Sequence, residues 1–258
     1  MLLCAVGDVI GVTQLDDIVY VVCGSSSTIA RFNTTTHQPL PDIRVKGMSR
    51  PRDIAACART ARLYVADSAK CVWRVSPIGA DIQRWLTSSR SDTFTPSALS
   101  VTSSRLLVTS LGGSQLRQFD TAGGVELRRV RLPHYMAPEH AVESPTGTFI
   151  VAHRNTQMYW QQYQVSEVNT EGQVLRQFSG SLGGPVHIAI DSQGHILVAD
   201  YGNRRILLLD AQLALRRVIV DQHQLNDERP WRLCYEEQSG QLLVGLGDSV
   251  AVFDVLQR

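Results

Sequence analysis

Six apolar triplets recur along the chain at intervals of 43 to 47 residues: Val19-Tyr20-Val21, Leu63-Tyr64-Val65, Leu106-Leu107-Val108, Phe149-Ile150-Val151, Ile196-Leu197-Val198 and Leu242-Leu243-Val244. A period of this length confines a chain to solenoids, arrays or propellers, since each unit buries its faces only against its neighbours. No segment keeps an amphipathic helical period over a dozen residues, which excludes the helical solenoids.

The units share a four-part grammar. Five triplets follow a proline that opens a short alternating segment: Pro51, Pro96, Pro138, Pro185 and Pro230. Proline is tolerated there because the first residue of a strand need not donate to the ladder. A third apolar segment follows each triplet, as in Leu116 to Asp120 and Ile206 to Asp210, and a turn leads to a fourth, more polar one such as Gln173 to Phe178. Strands so short bury both faces only when the sheets are arranged radially. The expected fold is therefore all-β, a six-bladed β-propeller with four antiparallel strands per blade, in one domain over residues 1–258. The last unit stops after its third strand, so Leu2 to Val6 is expected to supply the missing outer strand and close the ring.

Charge adds little. The 25 Lys and Arg against 24 Asp and Glu exclude a broadly cationic coat for nucleic acid. The apolar start Met1 to Val6 is too short for a secretion signal, and no apolar run reaches membrane-spanning length. A cytoplasmic protein, monomeric as an isolated domain and without membrane attachment or cofactor, is the expectation. Cys4, Cys23, Cys57, Cys71 and Cys234 are odd in number and widely spaced, and read as reduced thiols.

The stretch from Pro185 to Asp210 closely resembles an NHL repeat. It has the proline, the segment Ile188-Ala189-Ile190-Asp191, a glycine turn, the strand ending Val198-Ala199-Asp200, the Asn203-Arg204 loop and a closing strand that ends in Asp210. The unit from Pro51 keeps Asp53-Ile54-Ala55 and Leu63-Tyr64-Val65-Ala66-Asp67; the others keep the strand pattern alone. The resemblance implies a binding platform similar to the C-terminal domain of tripartite-motif proteins, some of which bind single-stranded RNA and others proteins. No RING, B-box or coiled-coil pattern accompanies it.

On such a propeller the loops of the top face are expected to gather Arg52, Arg154, Tyr201, Asn203, Arg204, Arg205, Trp231 and Arg232. Guanidinium groups and aromatic rings suit either single-stranded RNA or a protein or peptide partner. The counterweight is a set of acids on the same face: Asp53, Asp67, Glu139, Asp200, Glu228 and Asp248. The fourth unit carries an insertion ending in Met158-Tyr159-Trp160, where Tyr159 and Trp160 serve either as a contact hot spot or as cover for the neighbouring blade.

His140 and His187 each stand two residues after an opening proline, as does Asp53. These three are candidate metal ligands at the mouth of the central channel. A metal-dependent enzyme similar to the amidating-lyase or lactonase propellers is the alternative reading, although a third histidine is missing.

Overall fold

The computed structural model describes residues 2–3, 7–87, 94–157, 162–184 and 186–255. Strand β1 is Leu2–Leu3. The first blade is β2 (Val9–Leu15), β3 (Ile18–Cys23), β4 (Thr28–Asn33) and β5 (Pro39–Arg44), and the second is β6 (Pro51–Cys57), β7 (Arg62–Asp67), β8 (Cys71–Val75) and β9 (Ile82–Thr87). The third comprises β10 (Thr95–Thr102), β11 (Arg105–Leu111), β12 (Gln115–Asp120) and β13 (Glu126–Arg131); the fourth, β14 (Met136–Glu143), β15 (Phe149–Asn155), β16 (Gln162–Val168) and β17 (Val174–Gln177). The fifth holds β18 (Val186–Ile190), β19 (Ile196–Asp200), β20 (Arg205–Leu209) and β21 (Leu215–Val220), and the sixth β22 (Arg232–Glu236), β23 (Gln241–Leu246) and β24 (Ser249–Asp254).

Each blade is a four-stranded antiparallel meander, and the sixth takes β1 as its outer strand. Leu2 pairs with Val250 and Leu3 with Ser249, so the expected closure by the start of the chain is present. Among the described residues this clasp engages two of the six residues of β24. Among the described residues the sole helical element is a single 3₁₀ turn, Tyr201–Asn203.

The apolar triplets have a simple physical origin. Side chains alternate across a strand, and a strand flanked by sheets on both faces has no polar side. Leu63 and Val65 enter the core between the first and second blades, whereas Tyr64 and Ala66 enter the core between the second and third. The same alternation holds for Leu106 and Val108 against Leu107, and for Leu242 and Val244 against Leu243. Six apolar clusters result, one at each junction between blades. Truncating one of these residues, Leu63→Ala for example, removes methylenes from a dry interface and costs about 2–5 kcal/mol.

The prolines sit slightly differently from the sequence expectation. Pro51 opens β6, but Pro96 and Pro138 lie inside β10 and β14, immediately before a β-bulge. The ladder skips Ser97 and Glu139, and the prolines beside these bulges are accepted because β10 and β14 are edge strands of their sheets. Pro185 lies outside the described residues.

The cysteine reading needs one correction. Cys23 is disulfide-bonded, while Cys57, Cys71 and Cys234 are free. Wide spacing in the sequence does not mean separation in a closed ring. Burial pushes the Cys71 and Cys234 thiols up to about 11, so neither is a ready nucleophile.

Candidate functional site

The six inner strands place one residue each at the same depth in the central channel. Gly11, Asp53, Ala98, His140, His187 and Arg232 pair in register with Val22, Ala66, Thr109, Ala152, Ala199 and Gly245. Asp53, His140, His187 and Arg232 reach sideways and bond the backbone of neighbouring inner strands. Gly11 belongs to this arrangement through size: a Cβ there would stand 2.8 Å from the Ile54 amide nitrogen.

Asp53 is buried and accepts the amide protons of Ile54 at 2.9 Å and Leu99 at 2.8 Å. Burial pushes its pKa up to about 6, against the pull of Arg232 and the two amides. Arg232 Nε lies 3.8 Å from Asp53 Oδ1 and donates to the carbonyl of Ile10 at 2.7 Å, while its terminal nitrogens donate to the carbonyls of Trp231 and Arg52. The guanidinium thus ties the sixth blade to the first and second. Sequence counting placed Arg232 on the partner-binding face; its side chain is 16 % exposed and belongs to the channel wall instead.

His140 and His187 meet as expected, their rings stacked with centroids 3.7 Å apart and planes 23° from parallel. His140 Nε2 donates to the Leu99 carbonyl at 3.3 Å, and His187 Nδ1 accepts the Leu233 amide at 3.2 Å. Burial holds both imidazoles neutral: His140 falls to about 3, and His187 well below its ordinary value with help from His140 and Arg232. His140 Nδ1 and His187 Nε2 have no hydrogen-bond partner.

Ligand atoms of Asp53, His140 and His187 lie within 4.8 Å of one another. A tetrahedral zinc needs donors about 3.4 Å apart, with lone pairs converging on one point. His187 offers no free lone pair, since its Nδ1 accepts the Leu233 amide and the neutral ring then carries its proton on Nε2. A guanidinium already supplies positive charge beside Asp53. This set does not fit a bound dication. Below the ring the channel continues as a cavity of about 220 Å³.

The top face has a second cavity, of about 400 Å³, lined by Asp8, Val9, Ile10, Tyr201, Asp227, Glu228, Arg229, Trp231 and Gly247. Its walls come from loops of the fifth, sixth and first blades. Tyr201 and Trp231 meet edge to face with centroids 5.1 Å apart. Arg229 stands over the Tyr201 ring at 5.1 Å, and Arg232 over Trp231 at 5.0 Å.

The other expected residues divide by what they touch. Asp200 is fully buried and accepts from the Gly183 amide at 2.7 Å, Asn203 Nδ2 at 2.8 Å and Arg205 Nε at 2.8 Å. Asn203 and Arg205 therefore shape their own loop. Asp67 does the equivalent in the second blade, accepting from Trp73 Nε1 and the amides of Ser49, Arg50 and Ala69. Arg204 closes the 3₁₀ turn in the left-handed region, with φ of 50°. Arg52 is exposed, and Arg154 pairs with Tyr163 in the long hairpin of the fourth blade. Tyr159 and Trp160 lie outside the described residues. Asp8 and Asp227 were not foreseen, because neither stands near a motif in the chain.

No helix of the described residues is long and apolar enough to cross a membrane. No curated protein matches the sequence. Among solved structures the chain is similar to Kuenenia stuttgartiensis hydrazine synthase, with a TM-score of 0.68 and 13 % identity over 97 % of this chain and 96 % of that one. It is also similar to a protein of unknown function from Bacteroides caccae (TM-score 0.70, 16 % identity, 92 % and 90 % covered). A chain of a nidogen/laminin complex matches with a TM-score of 0.69 and 13 % identity, covering 88 % and 84 %. At these identities the likeness is one of fold. The NHL repeat family matches residues 182–207, the span from the end of the fourth blade through most of the fifth. The chain is thus a six-bladed β-propeller that carries a match to the NHL repeat in its fifth blade.

Proposed function

We propose that this propeller is a non-catalytic binding platform that engages a segment of a protein partner through its top face. The observation carrying this reading is the cavity of about 400 Å³ lined by the contacting rings of Tyr201 and Trp231. Such a cavity admits one or two side chains, and large aromatics at its wall gain contact area at small entropic cost. RNA fits less well, since Arg205 is engaged with Asp200, Arg232 lines the channel, and three carboxylates face the cavity. The channel set favours structure over catalysis for the reasons of geometry and charge given above. A disulfide at Cys23 suits an oxidising compartment better than the cytoplasm. A thiol count on unreduced, denatured protein is expected to fall short of five, and five thiols would restore the cytoplasmic reading.

Panning a displayed random-peptide library and a random RNA pool against the whole chain tests the platform. Peptides are expected to enrich on the wild type and to be lost from the Tyr201→Ala/Trp231→Ala variant. Enrichment of RNA alone, or of peptides insensitive to both substitutions, would overturn it.

A further inference from the structure

We infer that the Tyr201–Trp231 pocket reads a basic side chain, arginine or lysine, on the partner polypeptide; this rests on the platform reading and names what the platform recognises. Three carboxylates, of Asp8, Asp227 and Glu228, line the pocket with one lining cation, Arg229, while Arg232 over Trp231 faces Asp53 in the channel. Within the described residues no ion pair neutralises any of the three. The excess negative charge calls for a cationic occupant, and clefts with low-dielectric walls strengthen that preference.

The aromatic wall makes the same demand by a different force. A guanidinium or ammonium over a tyrosine or tryptophan face is attracted by the ring quadrupole, more strongly as water is excluded. The pocket already shows this contact in miniature, for Arg229 lies over Tyr201 at 5.1 Å. Arg229 is exposed and is held there by no ion pair within the described residues, so an incoming arginine competes for its place.

The loop between β21 and β22 presents these groups on a turn of defined shape. Asn226 and Asp227 are consecutive left-handed residues, with φ of 51° and 63°. Asn and Asp enter that region more readily than other non-glycine residues. Backbone bonds from Leu225 to Asp221, Asn226 to His223 and Asp227 to Gln222 hold the turn, and Gln222 Nε2 donates to the Asp227 carboxylate. The result places Asp227, Glu228 and Arg229 in succession on the rim.

The test uses the whole chain and three short probes, acetyl-Gly-Arg-Gly-amide and its citrulline and norleucine counterparts. Binding is followed by tryptophan fluorescence and by amide shifts in the isotope-labelled protein. The arginine peptide is expected to bind saturably, with the citrulline peptide about tenfold weaker or worse. The Asp227→Asn/Glu228→Gln variant should weaken the arginine peptide about fivefold, whereas Arg229→Ala should tighten it by freeing the Tyr201 face. These exposed substitutions leave the melting curve as a check on folding. Equal binding of all three peptides would overturn the basic preference while leaving the platform intact. No binding of the arginine peptide by wild type or Arg229→Ala overturns the inference, as does its displacement by oligoadenylate; the library result judges the platform separately.

Discussion

Arg232 and Asp53 stand 3.8 Å apart at the same level of the channel, on blades that are not sequence neighbours. Removing one partner of a buried pair leaves the other charge uncompensated. Arg232→Leu is expected to cost about 3–5 kcal/mol in urea unfolding, and the Arg232→Leu/Asp53→Asn double variant to recover part of the loss. A double variant no better than Arg232→Leu alone would mean that the pair is not coupled.

Asp200 should matter more for stability than its loop position suggests. It satisfies three donors from a fully buried position. Asp200→Ala leaves the Gly183 amide and Asn203 Nδ2 without an acceptor and Arg205 with the Ser181 carbonyl alone, a loss of about 3 kcal/mol or more. Calorimetry on a chain of this size should record a fall of roughly 6–12 °C. An unchanged melting temperature would show that water replaces the carboxylate.

His153 supplies an acid-sensitive element away from the channel. It is fully buried, its Nε2 shares a 2.8 Å hydrogen bond with Ser166 Oγ, and burial drops its pKa to about 4. Its unfolded value is near 6.5, so the unfolded chain takes up the proton first as pH falls. The stability it protects is complete above about pH 6.5 and lost progressively toward pH 4, by roughly 2–3 kcal/mol. Wild type should therefore lose more stability than His153→Asn between pH 7 and pH 4.5. Parallel pH profiles for the two would refute this assignment.

A chelator should leave the melting curve untouched, because the stacked histidines and Arg232 do not form a site for a dication. A drop in melting temperature on chelation, reversed by zinc, would reopen the metal-dependent alternative.

How far the sequence disclosed this protein depends on the scale of the question. The triplets reported blade number and strand order because each strand must serve two cores, a demand that Leu63, Tyr64 and Val65 meet one after another. Counting two residues from a proline brought Asp53, His140 and His187 together correctly. The same count holds for Arg232, which was expected on the top face; the carbonyls of Ile10 and Arg52 that its guanidinium reaches show why it turns inward. The pocket was half legible. Tyr201 and Trp231 were expected on one face, but Asp8 and Asp227 arrive through loop geometry that no periodicity encodes.

The clasp between β1 and β24 also decides how the ring yields to force. The strands are antiparallel, so the N-terminal end of β1 and the C-terminal end of β24 lie at the same end of the ladder. Tension between the two ends therefore peels this seam one residue pair at a time, beginning at Leu2 and Val250, rather than shearing all its hydrogen bonds at once. The seam works as a zip, easier to open when drawn by its ends than when sheared along its length.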